Sequence, residues 1–402
     1  MGAIAQFLYF FAHGADLFST SLRLHDDQHR FTLRRKDCVG TGAKLALSEV
    51  EGPVLERSSI RAAAGEAASV SVPFAQLARK WSIETQIRIY TLHMTRSMAQ
   101  EQDLLQRAAP KRPPRLTSRR IGIHTSTAGG VQNAAERAYR LGCNTLQIFS
   151  SSPRRWAPYE LSEPQCAEMN RLRAHYDLKP LVVHTNYLVN LASSNERFLQ
   201  MSLEAFRGEV VRALSLCADY LVLHPGSFRG ADREQGLLRT AAAIAASTQG
   251  LDLAKRGLTI LIENTAGAEF SLGGSFERVA EVLQRLEGIV PVGACIDTCH
   301  THVAGYDIVS EEGLYQTLQH LDATIGLNRV KVWHCNDAKV PRGSKLDRHQ
   351  HIGKGTIGQQ TFRVLLNDLR LAHAAFIAET PIDKPGDDRK NVDALKKLVV
   401  ET

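Results

Sequence analysis

The stretch Thr259-Ile-Leu-Ile-Glu263 is a short apolar run that contains β-branched side chains and ends in a carboxylate. A run of this length without polar alternation is typical of a strand that is buried on both faces of a parallel sheet. Runs of the same kind recur along the chain, at residues 121–124, 145–149, 181–184, 220–224, 259–263, 292–297, 330–334 and 376–379. Their recurrence indicates a sheet built from many parallel strands.

Helical patterns lie between and after these runs. Amphipathic segments occupy residues 131–141, 163–176, 196–217, 233–255, 276–286, 311–325, 359–373 and 391–400. Eight buried strands, each followed by a helix, are the elements of a (β/α)8 TIM barrel of the α/β class. The sequence therefore predicts such a barrel over residues 119–402.

Residues 1–115 have a different character. Hydrophobic periodicity is poor there, residues 43–68 are low in complexity, and Lys111-Arg-Pro-Pro-Arg115 is a basic linker. No core can be derived for this segment, so an irregular N-terminal extension is expected. It is either a poorly ordered appendage or sequence that is not native, with translation starting at Met94 or Met98, and the second alternative is favoured.

Most of the predicted strands also end at a residue that can bind a metal ion. In order they end at or near His124, Gln147, His184, His224, Glu263, Asp297, His334 and Glu379. Parallel barrel strands point their C-terminal ends to one face, where barrel enzymes hold their active sites. A lone histidine there is more often structural, and a carboxylate there can cap the next helix. The joint pattern instead predicts a metal cluster, because imidazole and carboxylate suit zinc or manganese.

Two loop motifs add ligands to this set. Asp297-Thr-Cys-His300 places an imidazole three residues after a carboxylate, and Asp347-Arg-His349 offers another such pair. Together they could hold a further ion beside the first group. Hydrolysis of a phosphodiester benefits from two ions about 4 Å apart, which activate water and stabilise both the attacking and the leaving oxygen. In that chemistry Glu263 would bridge two ions, and Glu379 would bind an ion and orient the water.

The composition is that of an ordinary globular protein, and a mildly basic charge is common among such proteins. The 402 residues carry a formal net charge of +7, with a pI of about 9.0 and a mean hydropathy of −0.20. This charge suits nucleic acid. Seven scattered cysteines indicate a reducing compartment rather than a disulfide scaffold, so a cytoplasmic location is expected. No apolar run is long enough to span a membrane, and no signal peptide is recognisable.

Short motifs mark the chain from residue 119 onward. They are Ile121-Gly-Ile-His-Thr-Ser-Thr-Ala-Gly-Gly130, His184-Thr-Asn-Tyr-Leu188, Leu223-His-Pro-Gly-Ser227, Ile262-Glu-Asn-Thr-Ala-Gly267, Cys295-Ile-Asp-Thr-Cys-His300, Trp333-His-Cys-Asn-Asp-Ala-Lys339, Asp347-Arg-His349 and Glu379-Thr-Pro381. Together and in this order they resemble endonuclease IV, the family-2 apurinic/apyrimidinic endonucleases. The resemblance implies a xylose-isomerase-like TIM barrel.

The same resemblance implies a site with three zinc ions, with manganese as an alternative in one or more positions. Carried over by motif, the three sets of ligands are His184, His224 and Glu263; Glu263, Asp297, His334 and Glu379; and His300, Asp347 and His349. Glu263 and Glu379 are the catalytic residues of this assignment. The implied reaction cuts the phosphodiester 5′ of an abasic site in double-stranded DNA, leaving a 3′-hydroxyl and a 5′-deoxyribose phosphate. Removal of blocking groups from 3′ ends, a monomeric state and association with the nucleoid are also implied.

DNA contacts are implied for the loop Ser150-Ser-Ser-Pro-Arg-Arg-Trp156, hereafter the arginine loop, and for Tyr187. In the family these groups enter the DNA and help to push the abasic nucleotide out of the stack, which costs least where a base is missing. Arg154 and Arg155 are expected to penetrate the duplex or bind phosphate. The family usually has Gln where Arg155 stands, and an ordinary solvated turn is the alternative for this loop.

Two other classes of function compete with this interpretation. A sugar isomerase or epimerase on a related barrel would also use histidines and carboxylates at strand ends, since a fold does not define a function. The pair formed by Asp347 and His349 argues against it, because a third metal ion has no obvious task in sugar isomerisation. A DNA-binding protein without enzymatic activity is the other alternative, and it would not need an open metal cluster.

Overall fold

The computed structural model describes residues 104–105, 114, 116–156 and 159–400, and the backbone of three strands nearer the N-terminus. The chain forms two compact units, residues 1–91 and 92–402. In the first unit, β1 (Ser21–His25) pairs in antiparallel fashion with β2 (Arg30–Thr32) and with β3 (Ser59–Ala63). The sequence predicts no strand in this segment. The expectations of poor order and of a start at Met94 or Met98 concern residues outside the described ones.

The second unit contains a barrel of eight parallel strands. They are β4 (Arg120–Ile123), β5 (Leu146–Phe149), β6 (Leu181–His184), β7 (Tyr220–Leu223), β8 (Thr259–Glu263), β9 (Val292–Asp297), β10 (Val330–His334) and β13 (Ala375–Ala378). Strands β5 to β10 are neighbours in chain order, and β13 lies between β10 and β4. Two backbone hydrogen bonds close the ring, from Asn144 to Ile121 at 3.0 Å and from Thr125 to Gln147 at 2.8 Å. The prediction of a (β/α)8 TIM barrel is therefore confirmed.

Alternate residues of each strand pack on opposite faces of the sheet, as the pleat requires. Val182 and Val222 belong to a small inner core along the barrel axis, while their neighbours Val183 and Leu223 belong to the larger core between sheet and helices. Burial on both faces explains why the strands lack polar alternation. The axis is filled with side chains, so a site can form only above it, at the ends of the strands.

The described helices pack around the barrel. They are α1 (Asn133–Leu141), α2 (Glu163–Tyr176), α3 (Glu196–Ser215), α4 (Arg233–Thr248), α5 (Phe276–Leu286), α6 (Thr298–Ala304), α7 (Glu311–Thr324), α8 (Gln359–Asn367) and α9 (Asp387–Leu398). Several begin at a side chain that accepts a hydrogen bond from the first turn, such as Ser162 at α2 and Asn195 at α3. Among the described helices, none combines the length and apolarity that a membrane span requires.

Two helices end more than two residues earlier than the sequence predicts. Helix α4 ends at Thr248 because Gln249 leaves the helical conformation and Gly250 has a positive φ of 76°. Helix α8 ends at Asn367 because Asp368 is extended and caps the short 3-10 turn Leu369–Leu371. Both segments continue beyond these points as turns with apolar residues, which made their hydrophobic pattern resemble a longer helix.

Regular structure also occurs where the sequence indicates loops. Helix α6 begins directly after β9, and Asp297 caps it by accepting a hydrogen bond from the backbone of His300 at 2.8 Å. A small antiparallel hairpin is formed by β11 (Asp337–Ala338) and β12 (His349–Gln350). Helix α6 and the hairpin carry His300 and His349, two candidate ligands that lie neither in a barrel strand nor at the end of one.

Candidate metal centre

The candidate ligands gather at the C-terminal mouth of the barrel. Four of them, His184, Glu263, Asp297 and His334, are the last residues of β6, β8, β9 and β10. His224 and Glu379 each follow the last residue of a strand, β7 and β13. The remaining three come from outside the barrel strands: His300 lies in α6, His349 in β12, and Asp347 in the loop before β12.

The first group consists of His184, His224 and Glu263. Their ligand atoms lie within 4.8 Å of one another. Oε2 of Glu263 is 3.1 Å from Nε2 of His184 and 3.0 Å from Nε2 of His224. Glu263 is fully buried, whereas the side chain of His224 is 34% exposed. One oxygen of this carboxylate therefore faces two imidazoles, and solvent can reach the imidazole of His224.

The second group shares Glu263 with the first and adds Asp297, His334 and Glu379, again within 4.8 Å. Here the other oxygen of Glu263 is used: Oε1 lies 2.8 Å from Nδ1 of His334. The same Nδ1 is 3.3 Å from Oε2 of Glu379. The two oxygens of Glu263 thus face different groups, which is the arrangement of a carboxylate that bridges two ions.

The third group consists of His300, Asp347 and His349. The two oxygens of Asp347 lie 3.2 Å from Nε2 of His300 and 3.0 Å from Nε2 of His349. Although it is close to Asp347, the buried Nε2 of His349 has no hydrogen bond of acceptable geometry with any described residue. An orphaned imidazole nitrogen aimed at a carboxylate and a second imidazole fits a metal ligand.

Backbone carbonyls orient several of these imidazoles. Nδ1 of His184 lies 2.7 Å from the oxygen of Thr185, Nδ1 of His300 lies 2.9 Å from that of Asn264, and Nδ1 of His349 lies 3.1 Å from that of Glu379. A carbonyl can only accept, so each Nδ1 carries a proton, and each Nε2 can offer its lone pair to a metal ion once that nitrogen is unprotonated. Metal-binding histidines are commonly oriented in this way.

His334 is oriented in the opposite sense, by Gln147. Nε2 of His334 donates to Oε1 of Gln147 at 2.8 Å, which leaves Nδ1 facing the carboxylates. The amide nitrogen of Gln147 donates to Oε1 of Glu379 at 2.6 Å and lies 3.0 Å from Nδ1 of His124. Gln147 is fully buried, and it connects residues at the ends of three strands: His334 in β10, Glu379 after β13 and His124 after β4.

Two asparagines support the carboxylates. Asn336 donates to Oδ2 of Asp297 at 2.6 Å and accepts a hydrogen bond from the backbone of Glu379 at 2.7 Å. Asn264 accepts from the backbone of Asp297, also at 2.7 Å. The sequence alone does not predict these roles of Gln147, Asn264 and Asn336. The signal available was their position on a strand or one or two residues after a ligand.

Close carboxylates shift the pKa values of these imidazoles. Burial lowers the pKa of His300, but Asp297, Asp347 and Glu263 raise it more, so that the net shift is strongly upward. His349 behaves in the same way: burial lowers its pKa, while Asp347 and Asp297 raise it, to about 9. Without a metal ion the third group therefore holds protons at neutral pH.

We expect the affinity of the metal-free protein for Zn²⁺ to rise as the pH increases towards about 9. His349 carries a proton below its pKa of about 9 and must release it to bind an ion, so protons compete with the metal. The affinity should fall below that pH and level off above it. Competition against a fluorescent zinc chelator, calibrated at each pH, measures this dependence. An affinity that stays constant across the range would contradict the protonation of this group.

The residues expected to contact DNA lie at the same mouth. Tyr187 is 39% exposed, and its ring lies 5.8 Å from that of His184 and 6.5 Å from that of His224. It lines a cleft of about 290 Å³ with these two histidines and with polar side chains that include Asn186, Asn190, Ser227 and Thr265. In the arginine loop, which follows β5, Arg155 is exposed and Arg154 is half-buried.

This fold and this arrangement of ligands are those of a barrel hydrolase or isomerase that uses metal ions. A family model described as a xylose isomerase-like TIM barrel matches residues 135–398. The probable endonuclease 4 of Solibacter usitatus is 47% identical over 281 residues, which are 69% of this chain and 96% of that protein. The probable endonuclease 4 of Chloroflexus aurantiacus is 38% identical over 282 residues, 70% of this chain and 98% of that protein. The chain belongs to the endonuclease IV family.

Solved structures agree with this assignment. Endonuclease IV from Thermus thermophilus is 35% identical, with a TM-score of 0.60, and the match covers 69% of this chain and 98% of that one. A D-tagatose 3-epimerase-like protein is 20% identical, with a TM-score of 0.53, over 69% of this chain and 96% of that one. The second likeness shows the fold alone, because the identity is too low to carry a function.

Proposed function

We propose that this chain is a zinc-dependent DNA repair endonuclease that cuts the phosphodiester 5′ of abasic sites in double-stranded DNA. The products are a 3′-hydroxyl and a 5′-deoxyribose phosphate, and blocked 3′ ends are a second substrate. The observation that carries the proposal is the sharing of Glu263 between two groups of candidate ligands, with a third group beside them. Membership of the endonuclease IV family supports it.

The donor set suits three zinc ions. Imidazole and carboxylate side chains without a thiolate are ligands of zinc, and manganese is an alternative in the positions richer in carboxylate. The residues assigned to the ions are His184, His224 and Glu263; Glu263, Asp297, His334 and Glu379; and His300, Asp347 and His349. When bound, the ions activate water and offset the negative charge that develops on the phosphoryl oxygens.

The remaining roles in the reaction are assigned to side chains of the protein. Glu263 fixes the separation of two positions, because its two oxygens face different imidazoles. Glu379 accepts a hydrogen bond from Gln147 at 2.6 Å, and we assign its carboxylate to orienting the attacking water. Tyr187, Arg154 and Arg155 are assigned to the extruded nucleotide and to the phosphates flanking it, since they belong to the mouth that holds the ligands.

The assay that tests the proposal uses a labelled duplex with one tetrahydrofuran abasic analogue. Protein stripped of metal and then reloaded with Zn²⁺ is expected to make a single cut 5′ of the analogue, and the new 3′ end should be extendable by a polymerase. Stripped protein and an undamaged duplex are the controls. Metal-loaded protein that leaves the damaged duplex whole would refute the endonuclease, and isomerisation of a ketohexose by that protein would support the alternative.

We further assign this activity to residues 119–402 acting as a monomer in the cytoplasm, in association with the nucleoid. All nine candidate ligands and the arginine loop lie within this part of the chain. The same assay on residues 119–402 alone should give the same cut at a similar rate. Light scattering during gel filtration measures the mass, and a dimer would contradict the monomeric assignment. A fluorescent fusion that did not colocalise with DNA would contradict the location.

A further inference from the structure

Four side chains form a closed network behind the arginine loop, and three of them are buried while Ser151 is partly buried. Ser150 and Ser151, the first two residues of the loop, donate their hydroxyl protons to the carboxylate of Glu209 in α3, the second of them at 3.0 Å. Both hydroxyl oxygens accept from Arg212 of the same helix, at 2.9 Å for Ser150 and 3.4 Å for Ser151. The Arg212 guanidinium also lies 3.1 Å from Glu209. Each serine therefore donates to the anion and accepts from the cation.

Arg212 also binds the chain just after the arginine loop, at Tyr159. Its Nη1 donates to the backbone oxygen of Tyr159 at 3.2 Å. The segment that carries Arg154 and Arg155 is thus held at both ends by one guanidinium. Gly208 leaves room for this group, because a Cβ at that position would lie 3.0 Å from Nη1 of Arg212.

A network of buried charges is an inefficient way to stabilise a fold, because removing the charges from water costs free energy. Glu209 is 1% exposed and Arg212 is 9% exposed, so both charges have lost most of their water. A buried ion pair recovers that loss only with good geometry and further hydrogen bonds, and apolar residues of similar volume are often as stable. Charged groups and hydroxyls differ from apolar side chains because each of their hydrogen bonds has a fixed direction. These directed contacts orient the backbone of the loop.

We propose that Glu209 and Arg212 are positioning residues that hold the arginine loop in the conformation that recognises abasic DNA. The inference rests on the proposed function. Among the described residues, neither forms a hydrogen bond or ion pair with a candidate metal ligand. Both act through the hydroxyls of Ser150 and Ser151, and Arg212 also acts through the backbone of Tyr159. Loss of the anchor should therefore reduce recognition of damage while leaving non-specific binding and metal content intact.

The first test uses trypsin, which cleaves after Arg154 and Arg155 when the loop is mobile. Three variants are compared: Arg212→Lys, Glu209→Gln, and the double variant Ser150→Ala, Ser151→Ala. The double variant keeps the buried ion pair and so protects the fold. We expect each to be cut in the loop several times faster than the unsubstituted protein, with unchanged rates elsewhere. This readout requires no nuclease activity, and equal rates in all proteins would overturn the anchor.

The second test measures kcat/KM on the abasic duplex, with undamaged duplex as a competitive inhibitor. We expect kcat/KM to fall by about tenfold or more in the variants, because small displacements of substrate-contacting groups are costly. The inhibition constant of the undamaged duplex and the zinc content should stay within about twofold. Unchanged kcat/KM would overturn the inference, and so would equal losses in all three measurements, which would make the network merely structural.

Two substitutions on the same helix serve as matched controls. Arg207 binds the backbone oxygens of Ser247 and Gln249 at the C-terminal end of α4, and Glu204 accepts from Gln200 on the surface. Arg207→Lys and Glu204→Gln should therefore leave trypsin cleavage and kcat/KM unchanged. If the unsubstituted protein cuts no abasic duplex at all, the proposed function fails, while the trypsin experiment still decides whether the loop is anchored.

Discussion

Replacing Glu263 by glutamine is expected to reduce cutting of an abasic duplex by on the order of 10³-fold and to lower the zinc content of the protein. The amide has the shape of the carboxylate but no charge, and one of its two terminal atoms can no longer accept. In the structure both oxygens of Glu263 are used, by His184 and His224 on one side and by His334 on the other. A single substitution is therefore expected to weaken metal binding at two positions.

The measurement pairs single-turnover cutting with metal analysis by mass spectrometry. Glu277→Gln is the matched control, since Glu277 also contacts a histidine, His320 at 2.6 Å, but on the exposed surface. That variant should retain full activity and full zinc content. If Glu263→Gln kept more than about a tenth of the activity, Glu263 could not be the bridging ligand.

The second large effect is expected for Asp347→Asn, which should remove one zinc ion and reduce cutting by about 10²-fold. Its two oxygens lie 3.2 Å from His300 and 3.0 Å from His349, whereas the carboxylate of Asp297 is 3.7 Å from His349. The side chain of Asp347 is 46% exposed, so the substitution leaves the core intact. At neutral pH the stripped variant should unfold at a lower temperature, because Asp347 pairs with protonated His300 and His349 when no metal is bound. Its circular dichroism spectrum should match that of the unsubstituted protein, which separates the loss of an ion from misfolding.

Asp383→Asn is the control for this substitution. Asp383 lies 3.3 Å from His351, and its side chain is 44% exposed, close to the value for Asp347. We expect it to keep its full zinc content and its cutting rate. A variant of Asp347 that still bound three ions, or that lost all of them, would contradict its assignment to a separate third position.

The barrel could be predicted from sequence because its signal is local and repeated. Strand β8 and helices α2 and α5 have the bounds that periodicity indicates, since an apolar run and a capping residue suffice to define them. Strand-end ligands could be predicted for a related reason: a parallel barrel brings all its strand ends to one face. Helix α6 was missed because it follows β9 without a break, and its cap, Asp297, was interpreted only as a ligand.

The contacts that orient the ligands could not be predicted. Gln147 and Glu379 lie at opposite ends of the barrel sequence, and only closure of the ring brings them within 2.6 Å. The pair of Glu209 and Arg212 has the spacing of an ordinary surface ion pair on a helix, and nothing in the sequence distinguishes it from one. Burial and distant partners give these residues their roles, and both properties arise from tertiary structure.

The last strand of the barrel has a consequence for the order of synthesis. Strand β13 pairs with β10 on one side and with β4, the first strand of the barrel, on the other, and Glu379 follows it directly. A ribosome delivers the chain from its N-terminus, so β4 can pair with β13 only after almost the entire barrel has been made. A nascent chain without β13 has an open sheet and lacks one ligand of the centre. The chain therefore gains the ability to cut DNA only after the last strand of its barrel has been made.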